Sequence, residues 1–263
     1  MEWKQTILRC EDGIATVTMN SPENLNAIDI PMAKELLGRL EQCAQDPQVK
    51  VVVLKGGERA FSAGGDIQYL YHNIQEGIQE SSELTELVGA LAVAVKRLDK
   101  LVLCAVSGSA AGAGANLALS GDFVLCTEDA RFIQAFVGIA LVPDTGGPYL
   151  LSRSIGAQRA LEMCITGRPV CAREAFRLGL VYKVCPKDEL DSCTMQLAGR
   201  LAAGPLLAYA NIKRQVYGAA FQDYERYLRQ VEQPTLNACG GTHDYREGVR
   251  AFLEKRPPQF NGT

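Results

Sequence analysis

The amino-acid sequence predicts an α/β protein in which buried parallel strands, joined by right-handed helical crossovers, precede a helical C-terminal region. An apolar run rich in β-branched residues, Val49–Leu54, and a second apolar run, Leu101–Val106, are typical of strands buried on both faces of a sheet. Segments with helical spacing alternate with these runs, and from Ala157 onward the pattern is almost wholly helical. We therefore expect an α/β core over residues 1–200 and a helical region over residues 201–263.

Each element follows from a local pattern of apolar residues and turn residues. In chain order we predict a strand or hairpin at 6–18, a helix at 31–45, a strand at 49–54, a loop at 60–66, a helix to about 71, a helix at 81–98, a strand at 101–106, a loop and helix at 108–120, a strand at 122–126 and a loop at 143–147. The segment 206–252 is predicted to be helical but too small to form a hydrophobic core of its own. We expect it to pack on the first part of the chain or on another subunit.

Composition and charge argue against several classes of protein. The net charge is −3, from 27 basic and 30 acidic residues, so no overall positive field attracts nucleic acid. The uncharged stretch Leu101–Gly121 is long enough to span a bilayer, but glycines, serines and Asn116 interrupt it, so we interpret it as a strand, a turn and a helix. The first residues lack a basic segment followed by an apolar run, so we expect no secretory signal.

Cysteine and histidine usage argues against a metal site and for a reducing compartment. Nine cysteines are widely spaced without a Cys-x-x-Cys pair, and His72 and His243 are the two histidines in the chain. These residues do not assemble a zinc site at recognised spacing. We expect free thiols and a cytoplasmic protein.

Glycine is above its usual share of about 7%, with 25 of 263 residues, and two glycine loops have the same construction. Each follows a buried strand and opens a helix: Ala63-Gly64-Gly65-Asp66 and Ala111-Gly112-Ala113-Gly114. Small residues let the backbone approach a ligand closely, and free N–H groups at a helix start can stabilise an oxyanion. Packing or capping is the alternative interpretation of such loops.

The combination of motifs is more specific than either loop. Four segments in this order and spacing resemble the crotonase (enoyl-CoA hydratase/isomerase) superfamily: Asn24-Leu25-Asn26-Ala27, Phe61–Ile67, Ala110–Leu119 with Asp122, and Gly138–Gly147. Thr166-Gly167-Arg168 and the tail Asp244–Arg256 extend the resemblance over essentially the whole chain. The resemblance implies a crotonase-like ββα superhelix core with a helical C-terminal region. It also implies an acyl-CoA thioester substrate.

The resemblance implies a role for several positions of this sequence. The backbone N–H groups of Gly65 and Ala113 match the pair that holds the thioester carbonyl in this family. Leu25, Ala27, Ala63, Asp66 and Ile67 match positions along which the coenzyme A moiety lies. Phe252 and Lys255 match tail positions that often reach a neighbouring subunit's coenzyme A, although a solvated surface charge is the alternative for Lys255. Relatives form trimers or paired trimers, so we expect a homotrimer or a dimer of trimers.

Two positions depart from the hydratases of this family. Hydratases use two glutamates to activate water, and the matching positions here are Asn116 and Phe136. Neither side chain transfers a proton, so the sequence argues against ordinary hydration. Both positions remain expected substrate contacts.

Asp144 is the acid that remains in this neighbourhood. By itself, an Asp after a proline is typical of a helix N-cap. The Pro143-Asp144 pair and the tail, including Pro258-Gln259-Phe260, resemble the branch that isomerises unsaturated or ring-derived acyl-CoAs in phenylacetate degradation. The resemblance therefore implies an isomerase in which Asp144 shifts a double bond through a thioester enolate. We expect Phe132, Ile133, Phe136 and Val137 to keep its pocket dry.

Other functions stay open at this point. A hydratase-like enzyme, a cyclic acyl-CoA hydrolase or an aromatic acyl-CoA dehalogenase are enzyme alternatives, although neither histidine falls where a dehalogenase needs its base. A non-catalytic acyl-CoA-binding protein is the alternative from another class. We expect no metal and no cofactor apart from the coenzyme A of the substrate, and no nucleic-acid or membrane partner.

Overall fold

A six-stranded sheet forms the centre of the computed structural model, which describes residues 3–77 and 83–263. Its strand order is β1-β2-β3-β5-β7-β10; β1 and β2 form an antiparallel hairpin, and the other neighbours are parallel. The strands of the chain are β1 Thr6–Glu11, β2 Ile14–Met19, β3 Val51–Lys55, β4 Ala60–Ser62, β5 Leu101–Val106, β6 Ser109–Ala111, β7 Phe123–Thr127, β8 Arg131–Ile133, β9 Val170–Cys171 and β10 Lys183–Cys185.

Helices cover this sheet and make up most of the C-terminal half. They are α1 Ile30–Gln45, α2 Ile67–Gln75, α3 Glu83–Arg97, α4 Ala113–Leu119, α5 Gly147–Ile155, α6 Ala157–Thr166, α7 Ala172–Arg177, α8 Leu190–Ala202, α9 Leu206–Ala220, α10 Tyr224–Tyr227, α11 Gln233–Gly240 and α12 His243–Leu253. Short 3-10 helices lie at Pro22–Asn24, Ala135–Ile139 and Lys187–Glu189, and a π-helical turn lies at Leu228–Glu232. The predicted α/β class is confirmed.

A second, four-stranded sheet, in the order β4-β6-β8-β9, lies beside the first. Successive chain segments contribute one strand to each sheet, as β3 with β4, β5 with β6 and β7 with β8 do. These pairs are followed by helical segments, so the ββα pattern that the resemblance implies is present. The small sheet was missed by sequence analysis, because strands of two or three residues have too few positions to show an alternation.

The helical interpretation beyond Ala157 is wrong at β9 and β10. β10 extends the main sheet by pairing in parallel with β7. Its three residues, Lys-Val-Cys, again show no alternation. The predicted helix at 81–98 is observed as α3, and its first two residues lie outside the described part of the chain.

Alternate residues of the central strands face two separate cores. Val52, Leu54 and Cys104 face α1, α3 and α4, whereas Val53 and Leu103 face α8. This two-sided burial is the reason for the continuous apolar runs in the sequence. All nine cysteines are free thiols, as predicted.

The C-terminal helices pack on the α/β core of their own chain. Tyr224 lies against Tyr149 of α5, with ring centroids 5.1 Å apart, and Leu236 and Tyr245 pack in one cluster with Phe136. These contacts join the C-terminal helices to the core within one chain. No helix among residues 3–77 and 83–263 is long and apolar enough to cross a membrane.

Candidate active site

The two glycine loops meet at a backbone contact that requires glycine. Gly64 has φ = +93°, and a Cβ atom there would lie 2.7 Å from the carbonyl oxygen of Ala111. Gly112 has φ = +51° and faces the Cα of Gly64. Larger residues would push the loops apart, so the glycines bring the following residues, Gly65 and Ala113, side by side.

The amides of Gly65 and Ala113 point away from the neighbouring strands. Ile28 donates its N–H to Gly64 (2.7 Å) and accepts from Asp66 (3.1 Å), so the alternation of the backbone turns the Gly65 N–H to the opposite side. Ala113 is the first residue of α4, where an amide has no intrahelical acceptor. Within the described part of the chain, neither amide has a protein acceptor. The pair is free to bind one carbonyl oxygen, as an oxyanion hole does.

Both amides face a cavity of about 310 Å³ with a mainly apolar lining. The described lining residues are Ala63, Gly64, Gly65, Ile67, Leu70, Leu84, Thr85, Val88, Gly112, Ala113, Ile133, Ala135, Phe136, Val137, Gly138, Ile139, Leu141, Asp144, Thr166, Gly167, Leu236 and Phe252. Among them, Asp144 is the sole residue with an ionisable side chain. The cavity therefore joins two hydrogen-bond donors and one carboxyl group in apolar surroundings.

Asp144 is not a helix cap. The helix that follows, α5, begins at Gly147 after Gly146 and has no side-chain cap. The Asp144 Oδ1 atom instead accepts a hydrogen bond of 2.7 Å from the Thr145 hydroxyl. Burial raises the pKa of Asp144 to about 6, against the lowering effect of the Thr145 bond. A carboxylate with this pKa is ionised at neutral pH and is a stronger base than an exposed one.

Three side chains hold the backbone of the turn that carries Asp144. Asn116 donates to the Asp144 carbonyl (2.9 Å), and the Tyr224 hydroxyl donates to the Thr145 carbonyl (3.1 Å). Glu232 accepts from the Gly146 amide, with N–O distances of 2.9 and 3.2 Å. Thr145 and Gly146 both have positive φ angles, so these bonds fix a turn that most residues would resist.

Comparison with known proteins identifies the family of the chain. The family model described as enoyl-CoA hydratase/isomerase matches residues 9–263. The chain is 36% identical to trans-2-decenoyl-acyl-carrier-protein isomerase of Streptococcus mutans, over 100% of both chains. It is also 36% identical to 1,2-epoxyphenylacetyl-CoA isomerase of Escherichia coli, over 96% of each chain. The chain belongs to the enoyl-CoA hydratase/isomerase family.

The fold is shared with solved structures of this family. An enoyl-CoA hydratase from Mycobacterium avium subsp. paratuberculosis superposes with a TM-score of 0.90 at 32% identity, covering 99% of this chain and 100% of that chain. The predicted crotonase resemblance and crotonase-like fold are confirmed. So is the expectation that the protein is an enzyme of the enoyl-CoA hydratase/isomerase family.

Asn116 and Phe136, which stand where hydratases of the family have glutamates, lie in different surroundings. Phe136 lines the cavity. Asn116 is buried behind Asp144, where its amide nitrogen binds the Asp144 carbonyl and its oxygen accepts from Gln134 (2.8 Å). It does not line the cavity among the described residues, so its observed contact is with the turn that carries Asp144.

The predicted coenzyme A contacts divide into cavity residues and neighbours. Ala63 and Ile67 line the cavity. Leu25 binds the loop, because its carbonyl accepts from the Ala63 amide (3.0 Å), and Ala27 lies next to Ile28 on the same turn. The Asp66 carboxylate caps α2 by accepting from the Gln68 amide (2.8 Å). Their roles toward coenzyme A stay predictions.

The tail residues lie at the cavity mouth or outside it. Phe252 is 60% exposed and lines the cavity of its own chain. Lys255 is exposed beyond the end of α12 and is absent from the described lining. Four residues were expected to keep the pocket dry, and for Phe132 this prediction is wrong. Its side chain is fully buried in the main core, because the alternation of the strand turns it to the side opposite Ile133.

Sequence analysis missed Glu232 and Leu236, which the C-terminal helices bring to the site. Leu236 lines the cavity, and Glu232, four residues earlier, is 4% exposed and binds the Asp144 turn. A Glu within an apolar helical face was the available signal. Among the described residues, no group of three or more His, Cys, Asp or Glu side chains is placed to hold a metal ion.

Proposed function

We propose that this protein is an isomerase that shifts the double bond of an enoyl thioester, with Asp144 as its single acid/base. The observation that carries the proposal is the cavity itself: Asp144 is the one ionisable group among the described lining residues, and it shares that cavity with the amides of Gly65 and Ala113. A 1,3-proton shift needs one base and one oxyanion site, and these residues supply both.

The proposed reaction runs in two proton transfers. The amides of Gly65 and Ala113 bind the thioester carbonyl oxygen and stabilise the negative charge that develops on it as the enolate forms. The Asp144 carboxylate takes a proton from C2 of a 3-enoyl thioester, and the Asp144 carboxylic acid returns it to C4. The double bond moves from C3 to C2, and Asp144 ends ionised as it began.

The surroundings of Asn116 and Phe136 support isomerisation over hydration. Addition of water needs groups that bind and deprotonate a water molecule beside the double bond. The Phe136 ring occupies one of the matching positions, and the Asn116 amide is engaged with Asp144 and Gln134. Hydration stays the second candidate, because a solved relative of nearly the same fold is an enoyl-CoA hydratase.

We propose an acyl chain of medium length. The mainly apolar lining of the cavity, which has a volume of about 310 Å³, suits a hydrocarbon chain. The decenoyl-acyl-carrier-protein isomerase among the relatives is consistent with such a chain. We propose coenzyme A as the carrier, with acyl-carrier protein as the second carrier to test. A ring-derived acyl group is the alternative that the epoxyphenylacetyl-CoA isomerase suggests.

Three further features belong to the proposal. The reaction uses no metal or redox cofactor, because a proton is moved without net oxidation. We propose assembly as a homotrimer or a dimer of trimers, and residence in the cytoplasm. The division into a core over residues 1–200 and a C-terminal region over residues 201–263 stays a prediction.

The test is incubation with a panel of 3-enoyl-CoA thioesters of increasing chain length, and with ring-derived acyl-CoAs, in deuterated water. We expect 2-enoyl products with deuterium at C4, where the proton returns, deuterium exchange at C2 of the remaining 3-enoyl thioester, and the highest kcat/KM at medium length. A 3-hydroxyacyl product would identify a hydratase, and binding without deuterium exchange would identify an acyl-CoA-binding protein. An aryl ester trapped on Asp144 would identify a dehalogenase.

A further inference from the structure

The Asp144 turn touches a second buried carboxyl group, and that group has no cationic partner. Glu232 is 4% exposed, and both of its carboxyl oxygens lie near the Gly146 amide, at 2.9 and 3.2 Å. Among the described residues, no Lys, Arg or His lies within ion-pair distance of it. A buried carboxylate without a cation is costly, whereas a carboxylic acid is far less so.

The helix that carries Glu232 departs from regular geometry at this residue. Residues Leu228–Glu232 form a π-helical turn between α10 and α11, and Pro234 follows in the first turn of α11. A π-turn within a helix is frequent at functional sites and redirects the side chains at its end. The turn places Glu232 against the backbone of Gly146, 86 residues away in the sequence.

Among the described residues, the titratable groups that interact with Glu232 are acids. Asp144 lies two residues before Gly146, and its negative charge acts on Glu232. Tyr224 and Tyr227 lie on the preceding helical turn. Their pKa values are raised, that of Tyr227 to about 12, so both hydroxyls keep their protons. Burial and then the charge of Asp144 raise the pKa of Glu232 to about 9, against the lowering effect of the Gly146 bond.

We propose that Glu232 is a positioning residue of the isomerase, which retains its proton at neutral pH and fixes the Asp144 turn through the Gly146 amide. The two buried carboxyl groups then carry a single negative charge, and that charge resides on Asp144, the group that faces the cavity. This proposal rests on the proposed function, since it assigns Asp144 as the base. Because Glu232 is absent from the described cavity lining, it acts through the turn and does not touch the substrate.

Two substitutions distinguish the effect of the Glu232 proton from the effect of the hydrogen bond between Glu232 and the Gly146 amide. Glu232→Gln stays neutral at every pH and keeps an oxygen for the Gly146 amide, so kcat stays within about threefold and the acid limb of kcat/KM, set by Asp144, does not move. Glu232→Leu leaves the Gly146 amide without its acceptor, so kcat falls about 10- to 100-fold while KM changes little. Glu35→Gln, at a buried carboxyl group on α1 that binds residues 4–6, is the matched control and retains the wild-type profile.

Two kinetic results would overturn the proposal. A Glu232→Gln variant as impaired as Glu232→Leu, or one whose acid limb moves to lower pH, would mean that Glu232 is charged in the working enzyme. A Glu232→Leu variant with wild-type kcat would mean that the Gly146 contact does not position the base.

A direct measurement of the proton needs no substrate and so separates this proposal from the proposed function. Glutamate labelled with carbon-13 at the side-chain carboxyl gives one resonance that Glu232→Gln removes. We expect that resonance to titrate far above the other glutamates in the wild type, and at a lower pH in Asp144→Asn, where the neighbouring charge is gone. Titration together with the exposed glutamates would reject the proposal even if the protein proved to be an isomerase.

Discussion

Two buried polar clusters join the C-terminal helices to the α/β core, and they differ in how their charge is balanced. In the Asp122 cluster (Asp122, Lys96, Lys213 and Tyr217), the Asp122 carboxylate accepts from the Lys213 ammonium at 2.8 Å and from the Tyr217 hydroxyl. In the Asp144 cluster (Asp144, Glu232, Asn116 and Tyr224), two carboxyl groups contact amides and hydroxyls, and no described residue supplies a cation to them.

The difference follows from what each cluster does. Lys213 uses its three N–H donors on Asp122, the Val95 carbonyl (2.8 Å) and the Lys100 carbonyl (3.1 Å), so the buried ion pair is fully hydrogen-bonded. Such a pair joins two parts of a fold, and removal of either partner leaves the other charge buried without compensation. Uncompensated carboxyl groups cost stability but keep a raised pKa, as the base of a proton transfer requires.

The largest expected effect comes from removing the proposed base, Asp144. Asp144→Asn keeps the shape of the side chain but cannot accept the proton, so kcat falls by about 10³- to 10⁴-fold. Binding of the acyl-CoA persists, because the two amides and the cavity are untouched; calorimetric titration with a saturated acyl-CoA measures it. Asp99→Asn, at an exposed site, is the control. Unchanged turnover on a good substrate would remove Asp144 from the mechanism.

Removing the Lys213 ammonium from the Asp122 cluster should lower the stability of the fold. Lys213→Met leaves the Asp122 charge and two carbonyl groups buried without their donor, which lowers the free energy of unfolding by about 3–5 kcal/mol. Urea unfolding measures the change. Arg214→Met is the matched control at the next residue, because the Arg214–Asp99 pair is 59% and 58% exposed and contributes about 0–1 kcal/mol. Equal losses in the two variants would erase the contrast between the clusters.

The oxyanion site can be tested with proline, which lacks an N–H group. Ala113 is the first residue of α4, a position that proline tolerates, so Ala113→Pro removes one donor and lowers kcat by about 10²- to 10³-fold. Ala157→Pro is the matched control: Ala157 also opens a helix, α6, after a glycine with positive φ, and lies outside the described cavity lining. Equal activity of the two variants would show that the Ala113 amide does not bind the carbonyl.

The smallest effect is a difference in how stability depends on pH. The folded protein holds protons on Asp144 and Glu232 up to about pH 6 and about pH 9, whereas in the unfolded chain both groups ionise at about pH 4. The folded state therefore binds more protons over this interval, and its stability falls as pH rises through it. Glu232→Gln removes the Glu232 part of that slope.

Chemical unfolding at several pH values measures this slope. Relative to the wild type, Glu232→Gln should gain more than about 1 kcal/mol between pH 5 and pH 9. A difference between the two proteins that is constant over this range would mean that Glu232 titrates at its ordinary pKa in the folded state.

Several parts of the site could be predicted because short patterns carry them. The importance of Gly64 and Gly112 could be predicted because few other residues tolerate a positive φ and a close backbone contact. Two strands could be predicted from their continuous apolar runs, because strands buried on both faces of a sheet lack polar positions. These runs are Val49–Leu54 and Leu101–Val106. Asp144 and the substitutions at Asn116 and Phe136 were found through the family resemblance, which fixes which positions to compare.

Other parts depend on distances that no local pattern records. The strands of the small sheet are stabilised by pairing with one another and are too short to show a period in the sequence. They are β4, β6, β8 and β9. Phe132 and Ile133 are both apolar, and which of them faces the cavity depends on the register of β8.

The sequence by itself determined the class of fold and the two glycine loops, because these depend on periodicity and glycine conformation. Its resemblance to a known family then singled out Asp144 as the candidate base. Tertiary structure alone decided that Asn116 holds the Asp144 turn, that Asp144 is not a helix cap, and that Glu232 lies against Gly146. The pKa of a carboxyl group is set by the solvent and charge around it. Those surroundings come from residues far apart in the chain, and they exist only once the C-terminal helices have packed on the core.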